Sequence, residues 1–185
     1  MKRLALTDIR PPRVYALVRE EFRRQIIEIK RPRRISVGPV VTLVFENRAT
    51  MIFQIEEMAR AENLDTREKI QAEIDIYNKV LPDNGELAAT LLVEITDMAA
   101  LESTLQSLLG LQNHVWLVVE GRRVQARFDP EQFRADKFAA VQYLRFPVER
   151  LDANAIMSLQ IDHPNYLHST PLGVETRQSI ARDLQ

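Results

Sequence analysis

The sequence predicts an α+β domain, a mostly antiparallel sheet of about six strands with helices packed on it. Three observations carry this. Apolar residues recur at three- and four-residue spacing in some segments and alternate in others. Two alternating segments meet at Glu120-Gly121-Arg122, a tight-hairpin signature. No linker rich in Gly, Ser or Pro divides the 185 residues, so 1–185 reads as a single domain that includes the basic helix 12–30.

Pro11 and Pro12 open helix 12–30, whose Val14, Val18, Phe22, Gln25, Ile26 and Ile29 mark an expected buried face, with Arg19, Arg23, Arg24 and Lys30 towards water. Pro32 ends it, because proline disfavours helical geometry in the residue before it. Val40 to Glu46 is apolar at both parities, which predicts a strand covered on both faces. Met51, Ile52, Ile55, Met58 and Ala59 form one stripe of helix 48–62, and Glu56 and Arg60 are spaced for an i,i+4 pair. Asp65, with Glu68 three residues on, is the expected cap of helix 65–81, buried along Ile70, Ile74, Tyr77 and Leu81. Pro82-Asp83-Asn84-Gly85 turns the chain.

Leu87 to Ile95 alternates as a strand, and Asp97 caps a short helix that ends before Gly110. The hairpin strands are 114–120 and 122–128, the second with Arg123, Gln125 and Arg127 on a wet face. Asp129-Pro130-Glu131-Gln132 has the chemistry of a helix start. Further strands are expected near 138–147 and from Ala155 to Asp162. Val174, Arg177, Ile180 and Leu184 predict a terminal helix.

Composition excludes several chemistries. With no Cys there is no disulfide, thiolate nucleophile or cysteine-ligated cluster in this chain. The five glycines are too far apart for a dinucleotide fingerprint or a P-loop, and HExxH, G-x-S-x-G and kinase signatures are missing. No stretch reaches the ~20 apolar residues of a membrane span, and MKRLALTDIRPP lacks the apolar stretch of a signal peptide, so a cytoplasmic address without membrane association is expected.

Net charge is −1 but unevenly spread: residues 1–34 carry 11 basic and 4 acidic side chains, and residues 35–110 carry 5 and 13. A basic arm can meet a polyanion, but it lacks the interleaved aromatics on which single-strand binders stack bases. It meets the acidic middle of its own chain equally well. Nucleic acid is therefore not the expected partner.

Three constellations hold candidate ligand or interface residues. Asp162, His163, Tyr166 and His168 gather after a strand, where imidazole and carboxylate can ligate a metal or move a proton. The same residues suit a hydrogen-bonded, proline-flanked loop at a sheet end. Glu46, Asn47 and Arg48, with Gln54 and Glu57, bracket a buried strand end and the next helix. There Arg48 can fork onto a carboxylate or phosphate and Asn47 can cap. Asp136-Lys137 enters a strand and reads equally as a surface ion pair or, with burial, as a reactive lysine.

The runs FENRATMIFQIEEMARAE (45–62), ADKFAAVQYLRF (135–146) and IDHPNY (161–166), in this order, resemble the bacterial domain-of-unknown-function family three-five-zero-one over almost the whole chain. The resemblance identifies no reaction. Members are typically encoded beside a rubrerythrin-like diiron protein and an iron-sulfur or FAD-linked oxidoreductase, which implies a redox or oxidative-stress setting and such a protein as partner. Two functions follow as expectations. One is a non-enzymatic accessory or binding protein with no cofactor of its own. The other is a small metal-binding protein or enzyme using Asp162, His163 and His168. Catalytic residues, a bound metal and homo-oligomerisation stay open.

Overall fold

A computed structural model of the chain describes residues 1–130 and 138–184. Among them are five α-helices: α1 (Pro12–Lys30), α2 (Arg48–Ala61), α3 (Arg67–Val80), α4 (Leu101–Ser107) and α5 (Val174–Arg182). Nine strands are described: β1 (Arg34–Val37), β2 (Val41–Glu46), β3 (Glu86–Val93), β4 (Val115–Val119), β5 (Arg122–Gln125), β6 (Arg127–Phe128), β7 (Val141–Pro147), β8 (Met157–His163) and β9 (Tyr166–Pro171). The α+β class and the antiparallel pairing agree with the sequence reading, but the strands form two sheets where one of about six was expected. Their orders are β1-β2-β3-β7-β6 and β5-β4-β8-β9.

The two sheets face each other across the main core. Val41, Leu43 and Phe45 of β2 and Leu87, Ala89 and Leu91 of β3 pack towards Leu117, Leu159 and Ile161 of the smaller sheet. The opposite face of the larger sheet carries the helices, and there Met51, Ile55, Ile70, Ile74, Tyr77 and Leu81 enclose a second apolar cluster that Tyr143 joins from β7. With a sheet below and helices above, β2 is buried at every position, as its two apolar parities predict. No helix among the described residues is long and apolar enough to cross a membrane.

Several local expectations are corrected. The buried face of α1 is rotated: Tyr15 and Ile26 are buried, whereas Val14 and Val18 are exposed. Arg19 and Lys30 turn inward to carboxylates on neighbouring elements, which rotates the helix away from its valines. Arg60 sits beside Glu57 at 3.7 Å and not beside Glu56, because Glu56 faces the protein interior and is claimed by Arg10. The cap of α3 is Thr66, whose hydroxyl accepts the Lys69 N–H at 3.3 Å, and Asp65 pairs with the Lys69 ammonium.

The hairpin turn at Glu120-Gly121 has φ of 48° and 79°, the double left-handed geometry that matches strand twist. Its second arm is not one strand. At Ala126 it leaves β4 and continues as β6 beside β7, linking the two sheets. The expected Asp162–His168 loop is a tight hairpin, with His163 paired to Tyr166 across Pro164-Asn165. The helix expected after Asp129-Pro130 and the Asp136-Lys137 pair fall on residues 131–137, outside the described residues.

The basic arm folds onto its own chain. Arg3 pairs with Asp83, Arg10 with Glu56, Arg19 with Glu57 and Arg34 with Glu94, all partners from the acidic middle. Arg33, buried, forks onto Asp183 at the end of α5 and donates to the Ser179 carbonyl.

Candidate functional site

Glu46 ends β2 with its side chain on the helix-facing side of the sheet, and the next residue, Asn47, is the N-cap of α2. Asn47 Oδ1 accepts the Thr50 N–H at 3.0 Å while Thr50 Oγ1 accepts the Asn47 N–H at 2.9 Å, a reciprocal cap that fixes the helix entry. This entry brings Gln54, two turns into α2, back over the strand end. Gln54 Nε2 donates to Glu46 Oε1 at 2.9 Å, and Thr90 of β3 donates to the same oxygen at 2.8 Å. Tyr143 donates to Gln54 Oε1 at 3.3 Å, and burial raises the pKa of its phenol, which keeps it a donor.

The Glu46 side chain is 2% exposed, with the Lys30 ammonium 3.8 Å from Oε1. Its second oxygen, Oε2, is buried and has no hydrogen-bond partner among the described residues. Glu46, Gln54 and Thr90 line a cleft of about 170 Å³ whose remaining walls are Val44, Leu92 and Val141, with Lys30 and Arg34. The helices leave this part of the sheet face open. A buried carboxyl side chain, an apolar sheet wall and two cations therefore line one small cavity.

The other members of this constellation lie elsewhere. Glu57 points from α2 to α1, where Oε1 accepts from Tyr15 at 2.6 Å and from Arg19 Nε at 2.7 Å. The Arg19 guanidinium, with the Tyr15 hydroxyl assisting, lowers the Glu57 pKa to about 2. Arg48 binds Asp8 at 2.7 Å and the Lys2 carbonyl at 2.8 Å, bracing the N-terminal arm.

The Asp162 to His168 hairpin splits its candidates between two faces of the smaller sheet. His163 and Tyr166 point inward and are buried. His163 Nε2 lies 3.0 Å from the Leu109 carbonyl, an acceptor, and Nδ1 accepts the Asn165 N–H at 3.2 Å, so both ring nitrogens are engaged with backbone. The Tyr166 hydroxyl donates to the Val37 carbonyl at 2.7 Å and accepts the N–H groups of Val40 and Val41. His168 packs edge-on to Tyr166, ring centroids 4.5 Å apart.

Asp162 projects from the opposite face. There it accepts from Trp116 Nε1 at 2.9 Å, lies 3.2 Å from His114 Nδ1 and pairs with Arg123, whose guanidinium stacks 3.9 Å from the Trp116 ring centroid. Arg123, helped by Trp116 and His114, lowers its pKa to about 2. Asp162, His163 and His168 do not meet, and among the described residues no three His, Asp or Glu side chains are grouped to hold a metal ion.

Sequence reasoning finds Glu46 and Gln54 but misses Lys30, Thr90 and Tyr143. Thr90, the lone hydroxyl in the strand run ELAATLLV, is the available signal. It also misses His114, Trp116 and Arg123 around Asp162.

The model of the family of proteins of unknown function DUF3501 matches residues 3–184. The chain belongs to this family. Among solved structures, this DUF3501 chain is similar to a novel protein of unknown function from Burkholderia pseudomallei, with 32% identity and a TM-score of 0.92 over the full length of both chains. No curated protein matches.

Proposed function

We propose that the chain is a non-enzymatic binding protein whose site is the Glu46 cleft, where a small ligand presents a hydrogen-bond donor to Oε2 and lies against Val44, Leu92 and Val141. The observation that carries this reading is a buried, unpartnered carboxylate oxygen on a residue that lines a cavity. Leaving a buried acceptor unpaired costs about 1–3 kcal/mol, more for a charged group, and a ligand donor that reached it would recover that cost. Among the described residues no Ser, Cys or His lines the cleft, and the Thr90 hydroxyl already donates to Glu46, so the lining favours holding over bond-making.

The cytoplasmic, redox-associated setting belongs to the same reading. It rests on the family's association with rubrerythrin-like and oxidoreductase proteins, and a pull-down from the native host that recovers neither would remove it. The metal or enzyme alternative through Asp162, His163 and His168 is less favoured, because Asp162 projects from the other face of its sheet. For the cleft itself, thermal melts with small hydroxyl- and ammonium-bearing compounds are run on wild type and Glu46→Gln. The proposal expects compounds that raise the wild-type melt and leave the variant unmoved; equal shifts in both proteins would refute it.

A further inference from the structure

A second cavity adjoins the first. The C-terminal half of α1, Phe53 of α2 and the start of β1 enclose a surface trough of about 450 Å³, a volume within the range of small-molecule sites. It shares Lys30 and Arg34 with the Glu46 cleft. Its floor is apolar, formed by Ile26, Ile27 and Phe53, and Ile27 is 50% exposed. Arg23 and Arg31 complete its rim.

The charged side chains that line this trough are all cationic. Arg31 is balanced by Glu28 at 3.4 Å, Arg34 by Glu94 and Lys30 by Glu46, whereas Arg23 has no ion-pair partner among the described residues. The C-terminus of α1 adds about half a negative charge, so the unpaired Arg23 leaves the rim with a small net positive charge. A soluble neutral molecule gains little from such a rim, and an apolar cation is repelled by it. An apolar body carrying one anionic head matches both the floor and the rim.

We infer that this trough binds a small amphipathic anion, its apolar part on Ile26, Ile27 and Phe53 and its head group among Arg23, Lys30 and Arg34. The inference adds a ligand class to the binding-protein reading but does not depend on Glu46. Octanoate is the probe, followed by titration calorimetry on the full chain, with octylammonium and acetate as head-reversed and body-less controls. Octanoate is expected to bind with one-to-one stoichiometry, and both controls to bind at least about tenfold more weakly.

Arg23→Glu and Ile27→Asp change exposed side chains, so both variants should keep the wild-type melt while weakening octanoate by about tenfold. Glu46→Gln should bind octanoate at least as well as wild type, which separates this site from the Glu46 reading. Octylammonium or acetate matching octanoate would overturn the inference, as would undiminished binding in both trough variants or no octanoate binding at all.

Discussion

Glu46 and Glu56 are both buried carboxylates on the helix side of the larger sheet, yet Arg10 saturates Glu56 whereas Glu46 keeps one oxygen without a partner. The Glu56 side chain is fully buried; Arg10 Nε and backbone N–H reach Oε1 at 2.8 and 2.9 Å, and Nη2 reaches Oε2 at 2.6 Å. The guanidinium also stacks on Phe22, 4.1 Å from the ring centroid. Glu56 is thus a structural anchor that ties the N-terminal arm to α2. Glu46 is built differently.

Removing the partner of a buried charge strands that charge. Arg10→Ala is therefore expected to lower unfolding free energy by about 3 kcal/mol, measured by denaturant titration. Arg10→Ala together with Glu56→Met, which removes the stranded charge, should recover a large part of that loss. A single variant as stable as wild type would show that the arm is not anchored here.

Acid should loosen the contact between α1 and α2. The Glu57 pKa falls from 4.5 to about 2 on folding, so its stabilisation is fully present above the unfolded value and is lost as pH falls towards the folded one. Asp162, lowered from 3.8 to about 2, acts in the same direction. Melting temperature should therefore decline between pH 5 and pH 2, and Glu57→Gln should flatten the decline. An unchanged profile in that variant would contradict the assignment.

Tyr166 clamps the β1–β2 turn to the smaller sheet through three backbone groups. Tyr166→Phe should cost about 2–3 kcal/mol, because the N–H groups of Val40 and Val41 lose this acceptor and the Val37 carbonyl loses its donor. Gly38 sits in that turn at φ +77°, where an added Cβ would come within 2.6 Å of the Tyr166 hydroxyl and 2.5 Å of His168. Gly38→Ala should destabilise as well, through backbone strain and displacement of the same clamp. Melts of both variants at the wild-type temperature would refute the clamp.

His163 links the hairpin to the Leu109 carbonyl, and His163→Ala should lower stability by about 1–3 kcal/mol. His168 is half-buried and has the smaller expected effect. Elemental analysis of wild type and both variants separates this structural role from ligation. Stoichiometric metal lost with either imidazole would favour the metal-binding alternative.

Helices α1 to α3 are legible in the sequence because each carries an apolar helical period, and strand β2 because it is apolar at both parities. The division into two sheets is not, since alternation tells which residues face inward but not which strand pairs with which. The rotation of α1 escapes the same reading: Arg19 and Lys30 count as polar until carboxylates from α2 and β2 are seen to meet them. Pairing of the basic arm with the acidic middle is visible beforehand as charge segregation, though not which arginine finds which glutamate. For the cleft, Glu46 and Gln54 announce themselves as polar residues around a buried strand end. Lys30 and Thr90 reach it, and Tyr143 reaches Gln54, from three other elements, a convergence that only tertiary structure creates.

On the proposed function, Glu46 serves a ligand and not the fold. The unfolding free energy of Glu46→Gln against wild type, measured by denaturant titration without added ligand, tests it most directly. Gln retains an acceptor for Gln54 and Thr90 and removes the buried charge, so the variant should lie within about 0.5 kcal/mol of wild type or above it. A loss of about 2 kcal/mol or more, like that expected for Arg10→Ala, would make Glu46 a second structural anchor and contradict the account.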